Sequence, residues 1–268
     1  MQIDGSHRHD SGGLSDHRPS ISWFRFYAEL NDFLPPEQRN RQIEFSFFVS
    51  PTIKDAVEGL GIPHVEIDLI LVDGHSVGFF HRLALGERVS VYPVFKTLDI
   101  PPEVRLQNRP LRCPAFVADV HLSKLARRLR LLGLDTLYSN TFTDQELVTI
   151  STKEGRILLT RDRVLLKHGS LTRGYWIRSV HAQQQAIEVL RRYNLAHQTS
   201  PFTRCPACNG QLKPVAKSDV MDRIPPRTAA WLNDYVECTT CLKLYWHGSH
   251  FERLSTSIWH ILNEGSDR

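Results

Sequence analysis

Four cysteines of this 268-residue chain occur as two C-x-x-C pairs separated by 29 residues: Cys205 with Cys208, and Cys238 with Cys241. Thiolate sulfur is a preferred ligand of Zn²⁺, and two such pairs can close one tetrahedral site. We therefore expect these four residues to hold a structural Zn²⁺ ion. Redox chemistry, or replacement of one ligand by His247 or His250, is the alternative.

Three aspartates stand where a parallel sheet would bring carboxylates to one edge. Asp119 follows a short apolar strand, Asp144 begins a helix after a second strand, and Asp162 comes two residues after a third. Crevices outside the carboxyl ends of parallel strands are where α/β folds bind ligands. Carboxylates without Cys or His suit Mg²⁺ or Mn²⁺, although an Asp at such a position can also be a turn former or a cap.

Two further acidic residues need separate interpretations. Asp135 precedes its strand, so it should lie at the opposite edge of the sheet and outside the site. Glu146 falls three residues after Thr143, which is the spacing of a capping box in which the carboxylate accepts from the Thr amide. A cap is therefore one interpretation of Glu146, and a contact with metal or water is the other.

Basic residues concentrate in the same part of the chain. Residues 100–200 carry 16 Lys and Arg against 8 Asp and Glu, whereas residues 21–99 carry 7 against 11. Lys124, Arg127 and Arg128 share one face of the helix after Asp119. Neutralising phosphates releases counterions, so such a surface suits a polyanion. We predict that the substrate contacts are Lys124, Arg127, Arg128 and Arg161, with Arg130 and Arg163 enlarging the patch; a solvated basic face is the alternative.

The elements that must position these residues fall into three blocks. Residues 1–20 predict a disordered tail, and residues 21–97 then show a strand pattern at 42–47 and a helix with Ser50 as N-cap and Pro51 at its first position. Asp73-Gly74 predicts a tight hairpin between 67–72 and 77–80. This order resembles a β-grasp, ubiquitin-like domain, which we interpret as a binding or packing module.

The proline-containing stretch 98–112 is interpreted as a linker, and the pattern of predicted secondary structure changes after it. Residues 113–200 alternate strands and helices, which predicts a mostly parallel sheet covered on both faces. Residues 201–255 surround the cysteines, residues 251–262 could form a short closing helix, and residues 256–268 are assigned to a C-terminal tail. The fold class is therefore α/β: a β-grasp domain, a three-layer α/β/α domain and a zinc ribbon.

Several segments together resemble one known family. They are Phe116-Val-Ala-Asp119, Lys124-Leu-Ala-Arg-Arg-Leu-Arg-Leu-Leu-Gly133, Asp144-Gln-Glu-Leu147, Gly155-Arg-Ile-Leu-Leu-Thr-Arg-Asp162 and Arg204-Cys-Pro-Ala-Cys208. This order is similar to the PIN-like C-terminal ribonuclease domain first named from the Mut-seven exonuclease, with its zinc-ribbon tail and frequent β-grasp module. The resemblance implies a metal-dependent RNase whose catalytic acidic residues are Asp119, Asp144 and Asp162.

The resulting interpretation is a hydrolase that cleaves RNA with Mg²⁺ or Mn²⁺. A non-catalytic RNA-binding adaptor and a protein-interaction scaffold built on the β-grasp domain are the alternatives. Four aromatic residues flank the cysteines, namely Tyr235, Tyr245, Trp246 and Phe251, and can either stack on unpaired bases or build a small core. No apolar run is long enough for a membrane span and the N-terminus does not resemble a signal peptide, so we expect a cytoplasmic protein without a membrane partner.

Overall fold

A computed structural model describes residues 18–94, 101, 105–106 and 114–266. The predicted tail lies outside the described residues except for 18–20, and so does the expected linker except for 101 and 105–106. Within the described ranges, no helix combines the length and the apolar character that a membrane crossing requires.

The N-terminal domain is a mixed five-stranded sheet packed on one helix. Its strands are β1 (Ser20–Phe26), β2 (Gln42–Phe47), β3 (Ile67–Val72), β4 (His75–Ser76) and β5 (Arg88–Pro93). They are hydrogen-bonded in the order β2-β1-β5-β3-β4, with β1 parallel to β5 and the other pairs antiparallel. Alternate strand residues such as Phe24 and Ile70 pack with the helix α1 (Ile53–Gly59) in one core. The β-grasp prediction is confirmed.

Two local predictions in this domain are wrong by a few residues. Thr52, not Ser50, caps α1, because its hydroxyl accepts from the Asp55 amide while the Asp55 carboxylate accepts from the Thr52 amide. The Ser50 hydroxyl instead donates to the Leu83 carbonyl at 2.7 Å. The tight turn does fall at Asp73-Gly74, both with positive φ, but the second hairpin strand is His75–Ser76 rather than 77–80.

The middle domain is built on a four-stranded parallel sheet. Its elements are β6 (Phe116–Ala118), α2 (Ser123–Leu131), β7 (Thr136–Leu137), α3 (Asp144–Glu154), β8 (Ile157–Thr160), β9 (Gly174–Trp176) and α4 (Ala182–Tyr193). The strands are ordered β7-β6-β8-β9 and every pair is parallel. The predicted parallel sheet is confirmed.

Alternation along the strands of this sheet creates two cores. Phe116, Ala118 and Leu159 face α2 and α4 on one side, whereas Val117 and Leu158 pack against α3 on the other. Successive strand residues point to opposite faces, so a sheet buried on both sides needs consecutive apolar residues. The result is the expected three-layer arrangement of helix, sheet and helix.

Gly133 ends α2 at a position that only glycine can fill. Its φ is +85°, and a Cβ there would lie 2.2 Å from the Ser200 carbonyl oxygen. The chain returns to this point after α4, where the amides of Ser200 and Phe202 donate to the carbonyls of Leu132 and Leu131. The segment that leads into the cysteine block is thus hydrogen-bonded to the C-terminal end of α2.

The cysteine block is a three-stranded antiparallel sheet. Its elements are β10 (Leu212–Val215), α5 (Lys217–Val220), α6 (Pro226–Ala229), β11 (Tyr235–Cys238) and β12 (Leu244–Trp246), with β11 in the centre of the sheet. Val220, Ile224 and Tyr235 form its small core. Tyr235 is 2% exposed, so its role is packing rather than stacking on a base.

The expected C-terminal tail is instead part of a long helix, α7 (Ser249–Gly265). Ile258, Ile261 and Leu262 are buried in the core that α2 and α4 share. The prediction of a tail at 256–268 is therefore wrong for residues 256–265, because this stretch supplies one wall of the middle domain. Residues 267–268 lie outside the described part.

Buried charges join the β-grasp domain to the middle domain. Glu66 is fully buried, and its carboxylate accepts from the Trp176 amide at 2.7 Å and lies 3.7 Å from the Arg192 guanidinium. Arg192 also pairs with Glu29 at 2.7 Å. Burial raises the pKa of Glu66, against the opposing effect of Arg192 and Arg178. The contact between the two domains therefore has a buried ion pair, Glu66 with Arg192, at its centre.

Candidate functional site

Asp119 and Asp162 are linked through one buried hydroxyl at the carboxyl edge of the parallel sheet. Thr160 is the last residue of β8, and its hydroxyl donates to Asp119 Oδ2 at 2.5 Å. The same hydroxyl accepts from the Asp162 amide at 2.9 Å. Asp119 is 6% exposed, whereas the Asp162 side chain is exposed and its Oδ1 accepts from the Val164 amide at 2.7 Å. One carboxylate is therefore held rigidly and the other opens to solvent.

Asp144 lies at the same edge, on the first residue of α3, which follows the neighbouring strand β7. Its side chain is exposed. Two residues on, Glu146 completes a capping box: its carboxylate accepts from the Thr143 amide at 2.8 Å and the Thr143 hydroxyl accepts from its amide. Hydrogen bonds from Thr143 lower the pKa of Glu146. The cap interpretation of Glu146 is confirmed.

The three carboxylates share an edge without forming a tight cluster. Across the described ranges, one group of three or more Cys, His, Asp or Glu side chains has its ligand atoms within 4.8 Å of one another, and that group is the four cysteines. Asp119, Asp144 and Asp162 do not form a second such group. Their assignment as metal ligands stays a prediction.

The cationic face of α2 begins one turn beyond Asp119. Lys124 and Arg127 are exposed, while Arg128 is half-buried and donates to the Lys124 carbonyl at 3.5 Å. Burial, together with the neighbouring Arg127, lowers the pKa of Arg128. Arg161 is exposed and donates to the Ser179 carbonyl at 2.6 Å. Lys124 and Arg127 are therefore the cations on α2 that extend furthest into solvent.

Two arginines that were expected to enlarge this patch have other roles. Arg130 is buried and donates to the Thr136 carbonyl at 2.8 Å and to the Ala207 carbonyl at 2.8 Å, so it ties α2 to the first cysteine pair. Arg163 lies 3.9 Å over the Trp176 ring and donates to the Phe33 carbonyl at the contact between domains. Both predictions are wrong because the sequence shows a charge without showing its burial.

Asp135 lies at the amino edge of the sheet, as predicted, where its carbonyl accepts from the Phe116 amide. Its carboxylate pairs with Arg156 at 2.7 Å and with Arg204 at 3.5 Å, and it accepts from the Asn209 amide group at 2.8 Å. Burial raises the pKa of Asp135, but these partners outweigh burial and lower it overall. Since Arg204 and Asn209 flank the first two cysteines, Asp135 helps to seat the ribbon.

The four cysteines form the arrangement that a tetrahedral metal requires. Cys205 Sγ lies 3.7 Å from Cys241 Sγ, and Cys208 Sγ lies 3.3 Å from Cys238 Sγ. Zn–S bonds of about 2.3 Å in a tetrahedron place sulfurs about 3.8 Å apart, which agrees with the separation of Cys205 and Cys241. His247 is not in the cluster and stacks on Phe251 at 4.0 Å. The residues therefore fit a metal site with four cysteine ligands.

The backbone around Cys238 favours its thiolate. Burial raises the pKa of Cys238, but hydrogen bonds from the amides of Cys241 and Thr240 to its sulfur outweigh that effect and lower the pKa to about 6. A Cβ at Gly210 would lie 2.8 Å from the same sulfur, so glycine is required at that position. Such amide-to-sulfur bonds support metal-bound thiolates.

Thr160, Arg130 and Asn209 have roles that the sequence interpretation missed. Thr160 could have been found from its place at the end of a strand two residues before Asp162. Arg130 and Asn209 carry no such signal, because each acts on a partner about 75 residues away in the chain.

These features define a class: an α/β domain with a parallel sheet, preceded in the chain by a β-grasp domain and followed by a four-cysteine ribbon. The family model described as the Mut7-C RNAse domain matches residues 114–258, more than half of the chain, and the model described as Mut7-C ubiquitin matches residues 20–99. The chain therefore belongs to the Mut7-C RNAse domain family, as the sequence resemblance predicted.

One curated relative extends this comparison. The human protein described as exonuclease mut-7 homolog is 31% identical over 134 residues, which cover 48% of this chain and 15% of the relative. This chain thus corresponds to a small part of that longer protein. No solved structure matches the chain. The family match and the relative together support a nuclease in general.

Proposed function

We propose that the chain is a metal-dependent ribonuclease that hydrolyses RNA phosphodiester bonds at the carboxyl edge of β6 and β8. The observation that carries this proposal is the Thr160 hydroxyl, which joins Asp119 to the backbone of Asp162. A structural turn would not need a buried carboxylate held in one orientation beside a cationic helix. Membership in the Mut7-C RNAse domain family supports RNA as the substrate.

The donor chemistry at this edge fits a hard divalent cation. Asp119, Asp144 and Asp162 offer carboxylate oxygens, which are the ligands that Mg²⁺ and Mn²⁺ prefer. Mg²⁺ keeps several waters and binds through one or two carboxylates together with phosphate oxygens, so three side chains need not touch one another. When bound, the cation would supply Lewis-acid activation of water and offset the charge that develops on the leaving oxygen.

The chain's own residues would position the RNA. Thr160 fixes the Asp119 carboxylate, and the exposed Asp162 and Asp144 complete the acidic edge. Lys124 and Arg127 lie on the solvent face of α2 and would bind backbone phosphates next to that edge. Their positive charge offsets the repulsion between phosphates and carboxylates.

Asparagine substitutions test the catalytic assignment. Asp119→Asn and Asp162→Asn should abolish Mn²⁺-dependent cleavage of a labelled single-stranded RNA. We expect unfolding free energies within about 1 kcal/mol of wild type, since the Asn oxygen can accept the same hydrogen bonds. Asp222→Asn removes an equal charge from an exposed position in the ribbon and serves as the matched control. Cleavage that survives both site substitutions would contradict the proposal.

A non-catalytic RNA-binding adaptor is the second candidate, and the spread of the three carboxylates is the observation that favours it. Both candidates require Lys124 and Arg127 to bind phosphate. Replacing both by Ala should weaken RNA binding on all sequences and flatten its salt dependence. Binding without cleavage, at any Mg²⁺ or Mn²⁺ concentration, would establish the adaptor.

The four cysteines support two further proposals: a reducing compartment, and a structural Zn²⁺ ion. All are free thiols, which suits a reducing compartment such as the cytoplasm. A structural Zn²⁺ bound by them would supply folding energy to a block whose own core contains three buried residues within the described part of the chain.

We also propose a protein partner for the β-grasp domain. Phe48 is 76% exposed and Phe80 is 85% exposed, and the segments that carry them are adjacent, since the Ser50 hydroxyl donates to the Leu83 carbonyl. Exposed aromatic side chains on adjacent segments are candidates for an interaction surface. A Phe80→Ser variant that folds normally should lose any partner recovered by cross-linking in the source cells.

A further inference from the structure

A cleft of about 460 Å³ lies between the ribbon sheet, the C-terminal half of α2 and the first turn of α7. Its volume falls within the range of sites that bind small organic groups. We call it the ribbon cleft and define it by six of its lining residues: Arg127, Phe202, Trp231, Tyr245, Trp246 and Phe251. Five of the 17 residues that line the cleft are Phe, Tyr or Trp, and their rings can stack on a flat ligand.

Most of the walls of the ribbon cleft are fixed by contacts with one another or with residues outside it. The Tyr245 hydroxyl lies 3.1 Å from Cys205 Sγ, and Trp246 packs edge-on against Tyr235 at 6.2 Å between ring centroids. Phe251 stacks on His247 and packs on Phe202 at 4.6 Å. Trp231 differs, because it is 64% exposed. The cleft therefore has a preformed aromatic base and one wall that a ligand could cover.

Charge distinguishes this cleft from an ordinary apolar groove. None of its lining residues is acidic, and Arg127 stands at its rim. Across the part of the chain that the structure describes, the Arg127 guanidinium makes no hydrogen bond or ion pair. An aromatic cleft beside a guanidinium that has no partner among the described residues suits a ligand with both a flat ring and a negative charge.

The cleft also adjoins the cationic face of α2. Lys124, Arg127 and Leu131 succeed one another along one side of α2, and Leu131 lines the cleft. The rise of about 1.5 Å per residue in α2 separates Lys124 from Arg127 by about 4.5 Å along the helix axis, and Asp119 precedes the helix by four residues. A strand bound at the acidic edge could therefore reach the cleft within a few nucleotides.

We infer that the ribbon cleft binds an unpaired base of the RNA, stacked against Trp231 and the aromatic base, while Arg127 binds the adjoining phosphate. This inference rests on the proposed function, because it takes RNA to be the substrate. It assigns the ribbon a binding role in addition to its structural one, and it predicts a requirement for single-stranded RNA at a distance from the bond that is cleaved.

RNA binding is measured without Mg²⁺ or Mn²⁺, while the metal of the ribbon is retained. These measurements distinguish contacts with the bases from contacts with the sugar-phosphate backbone. Two fluorescent RNA strands of about 12 nucleotides are compared, one ordinary and one abasic throughout. Trp231→Ala should weaken binding of the ordinary strand about tenfold and leave the abasic strand unaffected. Trp231→Phe should restore most of the loss, because it keeps a ring. Arg127→Ala should weaken both strands and reduce the salt slope by about one.

Trp259→Ala is the matched control, since Trp259 is 54% exposed on α7 and does not line the cleft. Equal binding of ordinary and abasic strands by the wild-type protein would overturn the inference and leave an apolar peptide as the occupant. Identical behaviour of Trp231→Ala and Trp259→Ala would also overturn it, and retained cleavage would then leave the nuclease proposal standing. A wild-type protein that binds neither strand and cleaves no RNA would refute both.

Discussion

Thr160 offers the sharpest test of the acidic edge, because one hydroxyl group serves two predicted metal ligands. Thr160→Val preserves the shape of the side chain and removes that hydroxyl. Asp119 Oδ2 then loses a bond of 2.5 Å and the Asp162 amide loses its acceptor, both next to a residue that is fully buried. A hydrogen bond to a charged group contributes about 1.5 to 3 kcal/mol, and an orphaned amide adds about 1 kcal/mol, so the unfolding free energy should fall by about 2.5 to 4 kcal/mol.

The catalytic consequence should be separable from the loss of stability. Loss of a residue that orients a metal ligand commonly reduces metal affinity or activity by about 10-fold to 100-fold. We therefore expect Thr160→Val to need more Mn²⁺ for half-maximal cleavage at a temperature where it is fully folded, as measured by circular dichroism and an RNA cleavage assay. Thr160→Ser keeps the hydroxyl, so it should cost about 1 kcal/mol for the missing methyl group and retain the wild-type Mn²⁺ requirement. A folded Thr160→Val protein with an unchanged Mn²⁺ dependence would refute a positioning role for Thr160.

Three further predictions concern the structural centres. Cys238→Ser should lose the one equivalent of zinc expected by metal analysis and lower the melting temperature, whereas zinc-free wild-type protein would contradict a structural zinc site. Asp135→Asn should reduce stability by about 1 to 2 kcal/mol at neutral pH through the lost pair with Arg156, with cleavage retained. Since the folded pKa of Asp135 is lowered, its contribution is present above its ordinary pKa and is lost as pH falls below that value, so urea unfolding of mutant and wild type should converge in acid. Glu66→Gln should cost about 1.5 to 3 kcal/mol in urea unfolding, because the buried Arg192 would keep only its ion pair with Glu29; a variant as stable as wild type would show that the Glu66–Arg192 pair does not hold the domains together.

Features determined by near neighbours in the chain could be predicted from the sequence. The capping box of Thr143 and Glu146 and the turn at Asp73-Gly74 both depend on residues within a few positions. Prediction from neighbouring residues failed at the N-cap of α1, because Ser50 and Thr52 are both good capping residues by type. Ser50 is a good cap by type, but its hydroxyl bonds to Leu83, which is 33 residues away.

Features determined by distant partners were predicted poorly. Arg130 and Arg127 sit three residues apart on α2, yet one is buried against the ribbon and the other is exposed. Helical periodicity gives the relative angle of two side chains but not what covers each face. The same reason explains α7, because the sequence does not show that its apolar residues pack on α4. At the candidate site the topology brought Asp119 and Asp162 to one edge, while the tie through Thr160 emerged only from the structure.

The docking of α7 on α4 has a consequence for the order in which the protein can fold during synthesis. The β-grasp core is complete once residues up to 93 have been made. The core around α2 and α4 stays open on one side until Ile258, Ile261 and Leu262 arrive, roughly 75 residues after α4 begins. Domains generally fold as units from the N-terminus while the ribosome is still translating, and late contacts slow that process. Part of the apolar surface of the nascent middle domain therefore stays exposed until the whole ribbon has been translated. Any chaperone that assists this protein would meet it in that interval.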